Sequence, residues 1–192
     1  MRPGAHRLQH FVAETMGAAA LEAPVILVTG TNGKGTVSAL LESIFRACGE
    51  RTGLYTSPHL VRVEERIRVS GVPIPSHRFS QICSHFEGRA RDLLPDLSSY
   101  ELLTAAALHH FREERVTISI FEIGLGGRLD STNALVPTVS VLTSVALDHA
   151  EILGSTFEEI AYDKAHISRR NRPLVVGPLC EAAQRGVVRA VA

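Results

Sequence analysis

The sequence has 192 residues, 45% of them apolar and 21% charged, and its twenty basic and twenty acidic side chains cancel to a net charge of zero. That length holds one domain, or one and a remnant, and the charge balance excludes a broad electrostatic grip on nucleic acid or an anionic membrane. No apolar run approaches the roughly 18 residues of a spanning helix, the first residues lack the apolar stretch of a secretory leader, and Cys48, Cys83 and Cys180 form neither a disulfide framework nor a zinc pattern. The reading is of a reduced, cytosolic protein.

In chain order, Pro24–Thr29 is a short, continuously apolar run that predicts a strand buried on both faces. A glycine-rich turn follows, Gly30-Thr31-Asn32-Gly33-Lys34-Gly35, and then a helix over Thr36–Cys48, with Val37, Leu40, Leu41, Ile44 and Phe45 at helical spacing. Thr52–Tyr55 is a second strand. Thr56–Val72 reads as a long loop with a little strand at Ile67–Val69. Helices are expected over Ser76–Leu93 and over Ser99–Glu114, with Ser99 as cap.

Thr117–Phe121 is the next strand, ending at Glu122 and a second glycine loop, Gly124-Leu125-Gly126-Gly127. Thr138–Thr143 is another. Ser155 and Glu158 have the spacing of a capping box that opens a helix to about Ile167. Pro173–Val176 is a further strand and Cys180–Ala192 a helix. Strands alternating with helices imply an α/β fold, a mostly parallel sheet with helices on both faces, whose ligands bind beyond the carboxyl ends of the strands. That rim collects the glycine loop with Lys34, then Ser57, Glu122 and Asp148-His149.

Two residue choices carry chemistry. A strand, a glycine loop with Lys34, and a helix form a phosphate cradle: loop amides, the helix N-terminus and a lysine able to reach the outer phosphates. The loop is a variant, with Gly35 between Lys34 and Thr36. Lysine itself is scarce: Lys34 and Lys164 are the only two lysines among the twenty basic residues. A chain that uses arginine almost throughout keeps lysine where a compact charge or a reactive amine is required. Glu122, at the end of an apolar strand, needs a partner, and Mg²⁺ beside a phosphate loop supplies one.

The run Thr29-Gly30-Thr31-Asn32-Gly33-Lys34-Gly35-Thr36 resembles the nucleotide loop of the Mur ligase superfamily. Its folate branch, the dihydrofolate and folylpolyglutamate synthases, is resembled more specifically by Tyr55-Thr56-Ser57-Pro58-His59-Leu60, by Glu65–Val69, by the run from Phe121 to Asn133 (Glu122-Ile123-Gly124-Leu125-Gly126-Gly127-Arg128-Leu129-Asp130), and by Leu147-Asp148-His149 followed by Asp163-Lys164-Ala165. The resemblance implies a phosphate-loop Mur ligase central domain over residues 1–192. It implies ATP on Thr31, Asn32, Gly33, Lys34, Gly35 and Thr36, Mg²⁺ held by Ser57, Glu122 and His149 with Thr36 near the first ion, and catalytic roles for Lys34, His149 and Lys164, the last carbamylated by CO₂.

The resemblance also places Ser98, Ser99, Tyr100 and Glu101 near a pterin-carrying substrate. The activity implied is ATP-dependent amide formation through an acyl phosphate, adding glutamate to dihydropteroate or reduced folates, by a cytosolic monomer that takes small molecules and neither nucleic acid nor membrane. Arg128 is expected to face phosphate or to pair with Asp130. His77, His85 and the His109-His110 pair have no ligand pattern and read as surface residues.

Departures from the family pattern are expected to matter. Family members are about twice as long, as the resemblance implies, with a separate C-terminal domain that supplies further nucleotide and glutamate contacts. His6 stands where the family has an acidic residue, and His166 where it has glycine. The expectation is a fragment or truncated product that binds ATP weakly and does not turn over alone. Two alternatives stay open: a Mur-type ligase for another acceptor, and a non-catalytic nucleotide-binding remnant.

Overall fold

A computed structural model describes residues 4–17, 20 and 24–192. Its elements are α1 (Gly4–Met16), β1 (Val25–Thr29), α2 (Lys34–Ala47), β2 (Thr52–Tyr55), β3 (Ile67–Val69), β4 (Val72–Pro73), α3 (Ser76–Leu93), α4 (Ser99–Glu113), β5 (Ile118–Glu122), β6 (Val139–Leu142), α5 (Ala150–Leu153), α6 (Phe157–Ala165), β7 (Leu174–Val176) and α7 (Glu181–Val191). The seven strands form one sheet in the order β4-β3-β2-β5-β1-β6-β7. β2, β5, β1, β6 and β7 run parallel, and β3 and β4 add an antiparallel edge. The expected α/β fold with a mostly parallel sheet is the fold observed.

β1 shows why both faces are covered. Its five residues are all buried, and alternate side chains point to opposite faces of a sheet. Val25 and Leu27 enter a core with Leu8, Phe11 and Val12 of α1, Phe86 of α3 and Phe111 of α4. Ile26 and Val28 pack with Leu54, Ile120 and the α2 residues Val37, Leu41 and Phe45. On β6, Leu142 lies opposite Thr29 in register, hence on the α1 side, where it meets Ala161, Ala165, Ala183 and Val187 of α6 and α7. α2 thus covers one face, and α1, α3, α4, α6 and α7 cover the other.

Four local readings change. α1 was not anticipated, although Ala5, Leu8 and Val12 have helical spacing and Leu8, Phe11 and Val12 are fully buried. The cap of α4 is Ser98 rather than Ser99: Ser98 accepts from the Glu101 amide while the Glu101 carboxylate takes the Ser98 amide. The box on α6 is likewise one residue later, Thr156 with Glu159, which leaves Glu158 to pair with Arg185 and Arg189. His110 is buried in α4 rather than on the surface, burial lowering its pKa, while its neighbour His109 meets Glu113. Among the described residues no helix is long and apolar enough to cross a membrane.

Candidate nucleotide and cation site

β1 ends at Thr29, and the chain turns at once. Gly30 has φ +151°, and a Cβ there would lie 1.9 Å from the Thr143 hydroxyl oxygen, so only glycine fits. Gly33, at φ +82°, caps α2 in the left-handed conformation. The loop is braced by the residues that follow β6. The Thr31 amide donates to the Ser144 carbonyl (2.9 Å) and the Asn32 amide to the Ser144 hydroxyl (3.0 Å). The Thr143 hydroxyl donates to the Asn32 carbonyl (2.7 Å), and the Ala146 amide to the Thr31 hydroxyl (3.0 Å). Thr143 and Ser144 were missed in the sequence; two hydroxyl residues directly after an apolar strand were the available signal.

The two lysines meet at this turn. Lys34 Nζ donates to the carbonyls of Gly30 (3.0 Å) and Thr31 (3.2 Å), and Lys164 Nζ donates to the same Gly30 carbonyl (3.1 Å). Lys164 is 4% exposed. Burial, and then the charge of Lys34, bring its pKa down to about 8. Lys164 is carried by α6, which is held against the second glycine loop. The Gly127 amide donates to Asp163 Oδ2 (3.0 Å), and a Cβ on Gly127 would lie 2.6 Å from the Lys164 carbonyl. Gly127 is therefore required for this close approach.

Glu122 closes the site from β5. It is 4% exposed, and its Oε2 accepts the Ser57 amide at 3.0 Å. A Cβ on Gly35 would lie 3.6 Å from Oε1, so the carboxylate faces the start of α2. Burial raises its pKa, with the Ser57 amide and the Lys34 charge acting against that. A buried carboxylate beside a serine residue and a helix N-terminus is a hard-oxygen setting that fits Mg²⁺. Thr36 is exposed in the first turn of α2. His149 has left-handed backbone (φ +51°), and its half-exposed ring faces Asp148 (3.7 Å) and Glu151 (3.9 Å). Among the described residues no three His, Cys, Asp or Glu side chains gather as a metal cluster.

A cleft of about 260 Å³ opens beside this rim, lined among others by Arg7, Ser98, Tyr100, Glu101, Asp130 and Ser131. Three of the four residues predicted for the substrate are in its wall; Ser99 is not, and lies exposed at the start of α4. Glu101 is buried, held by Arg7 (2.9 Å) and by the Ser98 hydroxyl (2.6 Å). Asp130 Oδ2 accepts the Gly124 and Leu125 amides, and Oδ1 accepts from Thr132. Arg128 pairs with Asp163 (3.5 Å) rather than with Asp130.

A braced glycine loop at the end of a central parallel strand, with a lysine and a buried carboxylate facing it, defines a phosphate-loop nucleotide-binding domain of the α/β class. No protein-family model matches the chain. The dihydrofolate synthase/folylpolyglutamate synthase of Escherichia coli is 44% identical over 153 residues, covering 80% of this chain and 36% of the relative. The folylpolyglutamate synthase of Lacticaseibacillus casei is 36% identical over 196 residues, covering all of this chain and 46% of the relative. The E. coli enzyme in complex with ADP, without folate substrate, superposes with a TM-score of 0.89 at 38% identity, over 100% of this chain and 46% of that one. The chain is similar along nearly its whole length to the N-terminal portion of dihydrofolate and folylpolyglutamate synthases. It spans less than half the length of these relatives.

Proposed function

We propose that this chain is the nucleotide-binding part of an ATP-dependent ligase that joins L-glutamate to dihydropteroate or to reduced folates, working as a cytosolic monomer. The observation that carries the reading is the facing of Glu122 and the Lys34 loop across one edge of the sheet. Relatives named for both activities support the acceptor class. A carboxylate is a poor acyl donor, because oxide is a poor leaving group. Attack of the acceptor carboxylate on the terminal phosphorus of ATP breaks the bond to the bridging oxygen, releasing ADP and giving an acyl phosphate. The amine of glutamate then attacks the acyl carbon, and phosphate leaves.

The protein's task in that sequence is to bring two anions together and neutralise the charge that develops. The amides of the Thr31–Thr36 loop and Lys34 do so at the phosphates. Ser57 and Glu122 hold Mg²⁺, which when bound draws charge from the phosphate oxygens; His149 is assigned with them on resemblance alone. Lys164, with its pKa near 8, is a neutral amine in roughly a tenth of molecules at pH 7. In that form it takes up CO₂: the nitrogen bonds to carbon and one proton is released. The carbamate so formed would face Lys34 as an anion to a cation. The cleft of Ser98, Tyr100, Glu101 and Asp130 takes the pterin-carrying acceptor.

The test has two stages. Calorimetric titration with ADP and Mg²⁺ is expected to show one site, and its absence sinks the reading. Incorporation of labelled glutamate into dihydropteroate, set against a cell-wall nucleotide precursor, then decides the acceptor class. Ligation to the cell-wall precursor alone overturns the folate assignment.

A further inference from the structure

Between β1 and α2 every backbone carbonyl has a partner. Those of Gly30 and Thr31 accept from the Lys34 ammonium, that of Gly30 also from Lys164, and that of Gly33 from the Val37 amide. The Asn32 carbonyl is held by two hydroxyls of the segment after β6, Thr143 at 2.7 Å and Ser144 at 3.0 Å. Ser144 Oγ also accepts the Asn32 amide at 3.0 Å, and the Ser144 carbonyl accepts the Thr31 amide at 2.9 Å. The Thr143 hydroxyl has one other acceptor in reach, the Thr29 carbonyl, at the longer distance of 3.2 Å. The Gly33 amide, by contrast, makes no hydrogen bond among the described residues.

A peptide unit is planar and trans, so its C=O and N–H point in opposite directions. Holding the Asn32 carbonyl toward Thr143 and Ser144 therefore turns the Gly33 N–H away from them. Gly33 does not enforce that choice itself. It sits at φ +82°, nothing lies within 4 Å of where its Cβ would be, and glycine takes either sign of φ about equally well. A half-turn of the Asn32–Gly33 peptide would present a carbonyl oxygen to an incoming phosphate in place of an N–H. Lys34 does not prevent that turn: it holds the carbonyls of Gly30 and Thr31, and must leave them to reach a phosphate. The two hydroxyls are the hold that stays. We propose that Thr143 and Ser144 are positioning residues for the nucleotide: they fix the Asn32–Gly33 peptide so that the Gly33 N–H joins the free amides at the start of α2 in facing the phosphates. This rests on the reading of the loop as a nucleotide site.

The test is Thr143→Val/Ser144→Ala in the full chain, which removes both hydroxyls and keeps most of the side-chain bulk. ADP affinity is measured by calorimetry, alongside thermal denaturation. A peptide free to turn is competent only part of the time, and the apparent affinity falls by that fraction. The loss expected is about tenfold, as two neutral hydrogen bonds allow. Ser144→Ala alone, a milder change, is expected to lose about threefold and carries the test if the double variant does not fold. Thr143→Ser, which keeps both hydroxyls, is expected to bind like the parent. In ¹⁵N spectra of the parent, the Gly33 amide proton is expected to move downfield on ADP addition. Full affinity in the variants lacking a hydroxyl overturns the proposal. So does an equal loss in Thr143→Ser, which assigns the effect to packing, or a Gly33 amide that saturating ADP leaves unmoved. If the parent binds no ADP, the nucleotide reading fails and this role fails with it. If the parent binds and the variants bind as well, only the role of Thr143 and Ser144 is lost.

Discussion

Lys34 and Lys164 donate to a single oxygen, the carbonyl of Gly30, at 3.0 and 3.1 Å. Lys164 is buried, and beyond that the two ammonium groups on one acceptor repel each other, which is why the Lys164 amine holds its proton weakly. Arginine could not serve in its place, since its guanidinium stays charged and has no free amine.

The first prediction follows from that amine. Its pKa is about 8 in the folded chain against 10.5 in an unfolded one. Between those values the unfolded chain binds more protons, so stability rises with pH across this window. Urea denaturation in CO₂-free buffer is expected to show the parent gaining up to about 3 kcal/mol on Lys164→Met from pH 8 to pH 10.5. A gap between the two proteins that does not change with pH would contradict the burial argument. Added bicarbonate is expected to narrow the gap near pH 8, and an incorporated label from ¹³C-bicarbonate would report the carbamate.

Glu122 is buried against its own charge, so Glu122→Gln is expected to hold the fold and lose the cation. The amide oxygen still accepts the Ser57 N–H. Calorimetry should find the Mg²⁺-dependent gain in ADP affinity reduced at least about tenfold, as loss of a charged oxygen ligand requires. Retention of the full gain would remove Glu122 from the cation site.

Gly127 has no room for a methyl group: the added carbon would meet the carbonyls of Lys164 and Asp163, which are backbone and cannot swing aside. Gly127→Ala is expected to destabilise by about 1–3 kcal/mol through overpacking. It should also weaken nucleotide binding by moving α6 and Lys164 away from Gly30. Denaturation and ADP titration on one preparation measure both effects, and an unperturbed variant would show that the glycine loop and α6 are not in register.

Arg7 tethers α1 to the buried Glu101. Removing one partner of such a pair leaves a charge with less compensation, so Arg7→Met is expected to cost roughly 3 kcal/mol at pH 7. Although burial alone would raise the Glu101 pKa, the hydrogen bonds from Arg7 and Ser98 hold it below the ordinary value. That stabilisation is present above the unfolded pKa and is lost as pH falls through the folded one. The difference between parent and variant should therefore shrink below pH 4.5, as followed by denaturation at stepped pH.

The sequence by itself determined the sheet, the phosphate loop and the residues to watch. Continuous apolar runs mark strands buried on both faces, and Gly30 and Gly33 mark a turn that other residues cannot make. It also contained signals that adjacent alternatives blurred. Ser98 and Ser99, or Ser155 and Thr156, are equivalent caps until the helix axis decides which hydroxyl faces the third amide. α1 was hidden because its apolar stripe is only three or four residues deep and makes sense only against Phe86 and Phe111.

Only the tertiary structure decided what converges. Lys164 and Gly30 are 134 positions apart, and Ser57 and Glu122 are 65 apart. Those meetings depend on strand order, since β5 lies between β2 and β1 and brings Glu122 beside both loops. Local propensity has no access to strand order. It is set by which apolar faces can be buried together, and so by the whole chain at once.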